Sequence, residues 1–243
     1  KAERMRKRTT ILIATALAAV AAAVVAATAV AKSHPAAAAV PTACSKTTLN
    51  LVSDGKLTIG TDNPAYPPWY AGGVPKGSKW KINDPSTGKG YESAVAYAVA
   101  KQLGFSKSQV AWTYVPFNKA FAPGKKSFDF DINQISYTPA RAKVVDFSVS
   151  YYDVNQAIVV NKGTKIATVH SLAGLKPFKL GAQLGTTSYG FIKSTIEPSS
   201  SPAVFPSNAG AVQALKNKQI DGLVVDLPTA FYVTAVQVPN SKI

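Results

Sequence analysis

An α/β fold with mostly parallel strands is what this sequence predicts, and three observations carry it. From Leu57 onward, short apolar runs alternate with longer stretches whose apolar residues recur at helical spacing. The apolar share is 47% of 243 residues, enough for one large core or two small ones. The stretch 71–90 is rich in Gly, Pro, Lys and Ser and follows the first strand, so it is expected as a surface loop where open α/β sheets bind ligands.

Taken in order, LTIGTD (57–62), VAWTYV (110–115), FDFDIN (128–133), QAIVVN (156–161), KLGAQ (179–183) and DGLVVD (221–226) read as strands. YESAVAYAVAKQLG (91–104) reads as a helix with Val95, Ala98, Val99 and Leu103 on its inner face and a Gly at its end. TSYGFIKSTI (187–196) and NAGAVQALKN (208–217) read as two more, the second ending in basic residues that suit the helix dipole. No internal repeat is evident.

The N-terminal stretch reads as a targeting segment. Arg4, Arg6, Lys7 and Arg8 form a positive cluster, and residues 11–31 then run without a charge, the order of an n-region and an h-region. The run is long enough to span a bilayer, so a cleaved signal peptide and a retained anchor both fit. Ala36 to Ala39 offer small-residue cleavage positions. Pro41, Thr42, Ala43 and Cys44 resemble in part the signal that lipidates a cysteine, with Pro41 where Leu or Val is usual. Each reading places the chain from about residue 45 outside the cytoplasm, as an exported, periplasmic or membrane-anchored protein.

Charge and cysteine usage exclude several classes. The formal charge is +15, and it falls to ten excess positive residues from Cys44 onward. Apart from Lys125 and Lys126 the lysines are scattered singly, with no aromatic-basic strand, zinc-finger spacing or basic helix, which argues against nucleic acid as a partner. Cys44 is the sole cysteine, so no internal disulfide forms, and His34 and His170 are too isolated to make a metal site. No cofactor or metal is expected.

Four stretches in order carry a resemblance: GTDNPAYPPW (60–69), GYESAVAYAVAKQLG (90–104), SYTPARAKVVDFSVSYY (136–152), and LGTTSYGF (184–191) followed by ALKNKQIDGLVVD (214–226). Together they resemble the bacterial extracellular solute-binding proteins of family 3, the polar amino-acid-binding components of ABC importers. The resemblance implies a two-lobed periplasmic binding protein type II fold with hinge strands. It places lobe one's N-terminal part at 45–154 and lobe two at 155–243, behind a leader and linker of 1–44. Relatives return to lobe one past the position of Ile243, so the C-terminal part of lobe one is expected to be missing. Asp153 to Ala157 would be the first hinge strand.

The implied ligand is an amino acid held between the lobes, and the implied partner is an ABC transporter permease. A free amino acid needs a fixed cation, a fixed anion and hydrogen-bonding groups between them. By the resemblance, Arg141 grips the α-carboxylate and Asp226 takes the ammonium. Thr187 and Ser188 add helix-start donors from lobe two, and Ser136 adds a hydroxyl beside the backbone of Asn133 and Gln134. Asn133 and Gln134 depart from the small residues usual there and would shape selectivity. Tyr66, Trp69 and Phe117 match aromatic positions that pack on the ligand side chain, with Asp62 secondary. Structural alternatives stand beside these roles: Arg141 paired with Asp146, Thr186 or Thr187 as an N-cap, Asp226 as an N-cap before Leu227 and Pro228, and Trp69 in the core.

An enzyme of the same fold, similar to cyclohexadienyl dehydratases, is the main rival, and a ligand-sensing module is the second. The dehydratase reading needs a spare carboxylate for acid/base work, and the site set offers only Asp62 and Asp226.

Overall fold

Strand β1 (Leu57–Thr61) is buried along its whole length, which explains why LTIGT shows no alternation of apolar and polar residues. The computed structural model describes residues 44–243. In it β1 is the centre of a parallel three-stranded sheet, between β2 (Val110–Tyr114) and β3 (Phe130–Asp131). β3 is shorter than the apolar run 128–133 suggests. Asp129 keeps one backbone bond to β1, donating to Thr58 O at 2.8 Å, while its carboxylate accepts the backbone N–H groups of Val52 and Thr58 at 2.7 and 2.6 Å.

Helix α1 (Tyr91–Gln102) covers this sheet, but not by the expected face. Its buried residues are Glu92, Ser93, Ala96 and Ala100, whereas Ala98 and Val99 are exposed and Val95 and Leu103 are half-buried. Small side chains let the helix approach Leu57, Ile59 and Phe105 closely, and they outweigh the bulkier valines that the sequence pattern favours. The stretch 71–90 is a loop with a buried anchor. Asn83 and Asp84 are 5% and 7% exposed, and Asp84 accepts from Ser78 Oγ and from the N–H of Ser86.

Gly90 joins that loop to α1 at φ 90° and ψ 158°, a conformation that is essentially glycine's alone. A Cβ there would lie 2.5 Å from Trp69 O and Tyr70 Cα. Gly90→Ala is therefore expected to destabilise the fold by about 3 kcal/mol or more, read as a lowered denaturation midpoint at unchanged slope.

The second sheet has the order β6-β5-β7-β4-β8. Its strands are β4 (Gln156–Asn161), β5 (Leu180–Gln183), β6 (Ala203–Phe205), β7 (Gly222–Asp226) and β8 (Ser241–Lys242). β5 is parallel to β6 and β7, and β4 is antiparallel to β7 and β8. Helices α3 (Thr187–Phe191), continued by a π-helical turn Ile192–Ile196, α4 (Asn208–Lys216) and α5 (Leu227–Tyr232) enclose two apolar clusters around it. Short α2 (Phe117–Ala120) follows β2. β6, β8, α2 and α5 are additions to the sequence reading; runs of two to six residues carry too little periodicity to declare themselves.

The apolar run 11–31, the small-residue cleavage positions and Pro41 to Ala43 lie outside the described residues. Cys44, the first described, is exposed. Among the described residues no helix is long and apolar enough to cross a membrane.

Candidate functional site

Parallel strands deliver their C-terminal ends to one side of a sheet, and the loops that follow them are where open α/β sheets bind ligands. Here the ends of β3, β5 and β7 and the starts of α2, α3 and α4 surround one cavity. β3 brings Asn133, Gln134 and, a turn later, Ser136 and Arg141. β5 ends on Gln183 and leads to Thr186, Thr187 and Ser188. β7 contributes Val224, Val225 and Asp226, and Thr229 follows on α5. Tyr66 and Phe117 close the aromatic side, and Asn208 enters from α4.

Nine of the sequence-derived site residues thus meet: Arg141, Asp226, Thr187, Ser188, Ser136, Asn133, Gln134, Tyr66 and Phe117. Trp69 is the exception. It is 4% exposed and packs edge-on against Tyr152 at 5.2 Å and Tyr91 at 6.2 Å, away from the cavity lining. The core alternative describes Trp69, because the turn after β1 directs it beneath α1 while Tyr66 faces the cavity. Asp62 also stays out of the lining and accepts the N–H of Asn63 at 2.7 Å.

Arg141 is 7% exposed and held on several sides. Its backbone N–H donates to Thr138 Oγ1 of the Ser/Thr turn at 3.2 Å. One guanidinium nitrogen donates to Ser136 O at 2.6 Å and the other to Gly185 O at 2.7 Å, so the fork spans both sheets' loops. Its planar face lies 4.3 Å from the Phe121 ring centre and 5.7 Å from that of Phe117. Two bonds leave three of the five guanidinium N–H groups for a ligand. Burial lowers the Arg141 pKa and the charge of Asp226 opposes that. Among the described residues the salt bridge found is Lys176–Glu197, so Arg141 is not paired with Asp146.

Asp226 occupies the N-cap position of α5 without making a side-chain cap bond. Its Oδ1 instead accepts from Gln156 Nε2 at 2.6 Å, a partner set opposite it by the antiparallel register of β4 and β7. Burial raises its pKa, while the Gln156 bond and the Arg141 charge lower it. A buried cation and a half-buried anion therefore line one cavity without being joined by a salt bridge. Thr186 caps α3 by accepting from Tyr189 N at 3.1 Å, which leaves Thr187 Oγ1 free to approach Ser136 Oγ at 3.4 Å. The first-turn N–H groups of α3 have no intrahelical acceptors.

Gln134, at φ 50°, is in the left-handed region. It is held there by Glu92, which accepts its backbone N–H at 2.6 Å and its side-chain amide. Glu92 also accepts the Tyr151 hydroxyl at 2.6 Å; burial pushes its pKa up to about 7 against these bonds. Sequence reasoning missed Glu92, Phe121, Gln156, Gln183, Asn208 and Thr229. The available signal for Glu92 was an acid on the i, i+4, i+8 stripe it shares with Ala96 and Ala100. Among the described residues no group of His, Cys, Asp and Glu could hold a metal ion.

The chain matches the family model for bacterial extracellular solute-binding proteins, family 3, over residues 57–226, and belongs to that family. It is 32% identical over 149 residues to GlnH, the glutamine-binding protein of a Bacillus subtilis ABC transporter, covering 60% of this chain and 53% of that one. It is 30% identical over 138 residues to the ABC transporter arginine-binding protein 1 of Escherichia coli, covering 56% and 54%. Its structure is similar to that of an ancestral arginine-binding protein bound to glutamine, with a TM-score of 0.62, 30% identity and 77% of each chain covered. The fold is the two-lobed periplasmic binding protein type II fold. The chain spans about half the length of the curated relatives it matches.

Proposed function

We propose that this protein is an extracytoplasmic solute-binding protein that captures a free amino acid between its two lobes and delivers it to an ABC importer. The observation that carries the reading is the placement of buried Arg141 and half-buried Asp226 on one cavity with no salt bridge between them. The two charges sense each other but are not in direct contact, and a zwitterion gives each of them a hydrogen-bonded counter-charge at once. Arg141 takes the α-carboxylate through its fork. Asp226, steadied by Gln156, takes the ammonium. Thr187, Ser188 and Ser136 supply hydroxyl and backbone groups, and Tyr66 and Phe117 provide apolar area for the side-chain stem.

Arg141, Ser136 and Asn133 belong to the first lobe and Asp226, Thr187 and Ser188 to the second, so a bound zwitterion favours the closed arrangement. The lobe boundary near residues 154 and 155 and a hinge at Asp153 to Ala157 are part of this proposal. So is attachment to the membrane, by a lipid on exposed Cys44 or by the apolar run 11–31. Among the described residues Asp226 is the single carboxylate on the cavity lining, which supports binding over the acid/base chemistry of a dehydratase.

A thermal-shift screen of residues 45–243 against the twenty amino acids tests the reading. One or a few are expected to raise Tm, by an amount growing with ligand concentration as RT ln(1 + [L]/Kd). A folded sample that shifts with none of them would remove the amino-acid assignment.

A further inference from the structure

Once Arg141 and Asp226 hold an amino-acid headgroup, no other charged side chain lines the cavity among the described residues. The other lining residues are neutral, and four of them are carboxamides: Gln134, and three from different elements, Asn133 after β3, Gln183 at the end of β5 and Asn208 at the start of α4. None of the three side-chain amides makes a hydrogen bond among the described residues, although Asn133 is only 8% exposed. This differs from Gln134, whose amide is taken up by Glu92. Gln183 and Asn208 are half-buried and Asn133 nearly buried, so a ligand that fills the cavity and displaces their water must replace the hydrogen bonds it removes.

The geometry points to an amino acid with a neutral carboxamide side chain, asparagine or glutamine, as the preferred ligand of this cavity. The inference rests on the amino-acid reading above and narrows it. A carboxamide offers a donor and an acceptor, and each of the three facing groups has both, so the pairs can be complementary in either orientation. The corresponding carboxylate offers acceptors alone and would bring a negative charge to a place with no second cation. A lysine or arginine side chain would bring a positive charge with no second anion on the lining. An aliphatic side chain would leave three amides unpaired, the situation in which polar sites reject apolar analogues most strongly.

Isothermal titration of the folded protein with L-glutamine, L-asparagine, L-glutamate, L-aspartate, L-arginine, L-lysine and L-leucine decides it. One of the two amides is expected to bind at least about tenfold more tightly than its isosteric acid and than either basic residue, the difference that one hydrogen-bonded polar group typically makes. Asn133→Leu and Gln183→Leu, each checked for an unchanged unfolding transition, should narrow that margin. Tightest binding by an acidic, basic or aliphatic amino acid, or equal binding of an amide and its acid, would overturn the inference and leave the amino-acid reading standing. Binding of none of the seven by folded protein would remove the inference, and the twenty-member screen would then separate the fate of the broader reading.

Discussion

Arg141→Ala is expected to weaken binding of the cognate amino acid by about thirtyfold to several thousandfold, the cost of about 2–5 kcal/mol for truncating one member of a buried, hydrogen-bonded charge pair. The reason is specific to the position. Arg141 is the cation on the cavity lining, and its fork already reaches Ser136 O from one side and Gly185 O from the other. Alanine would remove the ligand's anion partner and leave both carbonyls without their donor. Arg141→Lys should recover part of the affinity, since an ammonium restores the charge but not two parallel bonds, nor the stacking on Phe121 at 4.3 Å. Calorimetric Kd values for wild type and both variants, with circular dichroism to verify folding, give the ranking wild type, Lys, Ala. Equal affinity in all three would move the carboxylate site elsewhere.

That ranking depends on a residue legible in the sequence, and the contrast with what was not legible is instructive. Arg141 and Asp226 could be placed because each follows a pattern that survives folding: a Ser/Thr turn before the arginine, and an apolar strand that ends in a single acid. The strand ends then converge as the α/β pattern requires. Gln183, Asn208 and Thr229 carry no such local signature, since they become neighbours only when β5, α4 and α5 pack on a common sheet. The inner face of α1 was misread for a related reason. Hydrophobic weight pointed to Val95 and Val99, whereas the close approach of β1 selects Ala96 and Ala100 and carries Glu92 inward with them. Trp69 and Tyr66 are three residues apart on one turn, and only the folded turn decides which ring enters the cavity and which the core.

Glu92 and Asp131 lead to the second large effect, in which the ligand-free protein should grow less stable as pH rises from 5 to 8. Burial pushes both carboxyls up to about 7, and it raises those of Asp62 and Asp226 as well. The sign follows from proton uptake. Between the unfolded carboxylate value near 4 and the folded value near 7, the folded state binds more protons than the unfolded one. Stability therefore falls with rising pH across that window, by up to about 1.4 kcal/mol per pH unit for each such group, and levels off above it. Asp84, where burial raises the pKa but hydrogen bonds from Ser78 and Ser86 together outweigh it and hold the carboxyl low, acts in the opposite direction only as pH falls toward the ordinary carboxylate range.

The two buried acids should nevertheless answer mutation differently. Among the described residues both carboxylate oxygens of Asp131 are buried without a hydrogen-bond partner, next to Gly60, where even a Cβ would collide with Oδ2. Glu92 and Asp62 repel its charge, and Lys126 offsets it only in part while donating to the carbonyls of Lys119 and Ala122. Asp131→Asn keeps the shape and removes the charge, so it is expected to raise stability at pH 8 by an amount on the order of 3 kcal/mol, shrinking toward pH 5. Glu92 instead accepts from Gln134 and Tyr151, so Glu92→Gln would set an amide donor against donors and should not stabilise. Urea unfolding of the three proteins at pH 5, 6.5 and 8 separates these cases. A wild-type stability that is flat or rising over that range would mean that these carboxyls are solvated and titrate normally, and an Asp131→Asn protein no more stable at pH 8 would mean that the Asp131 charge carries no net burial cost.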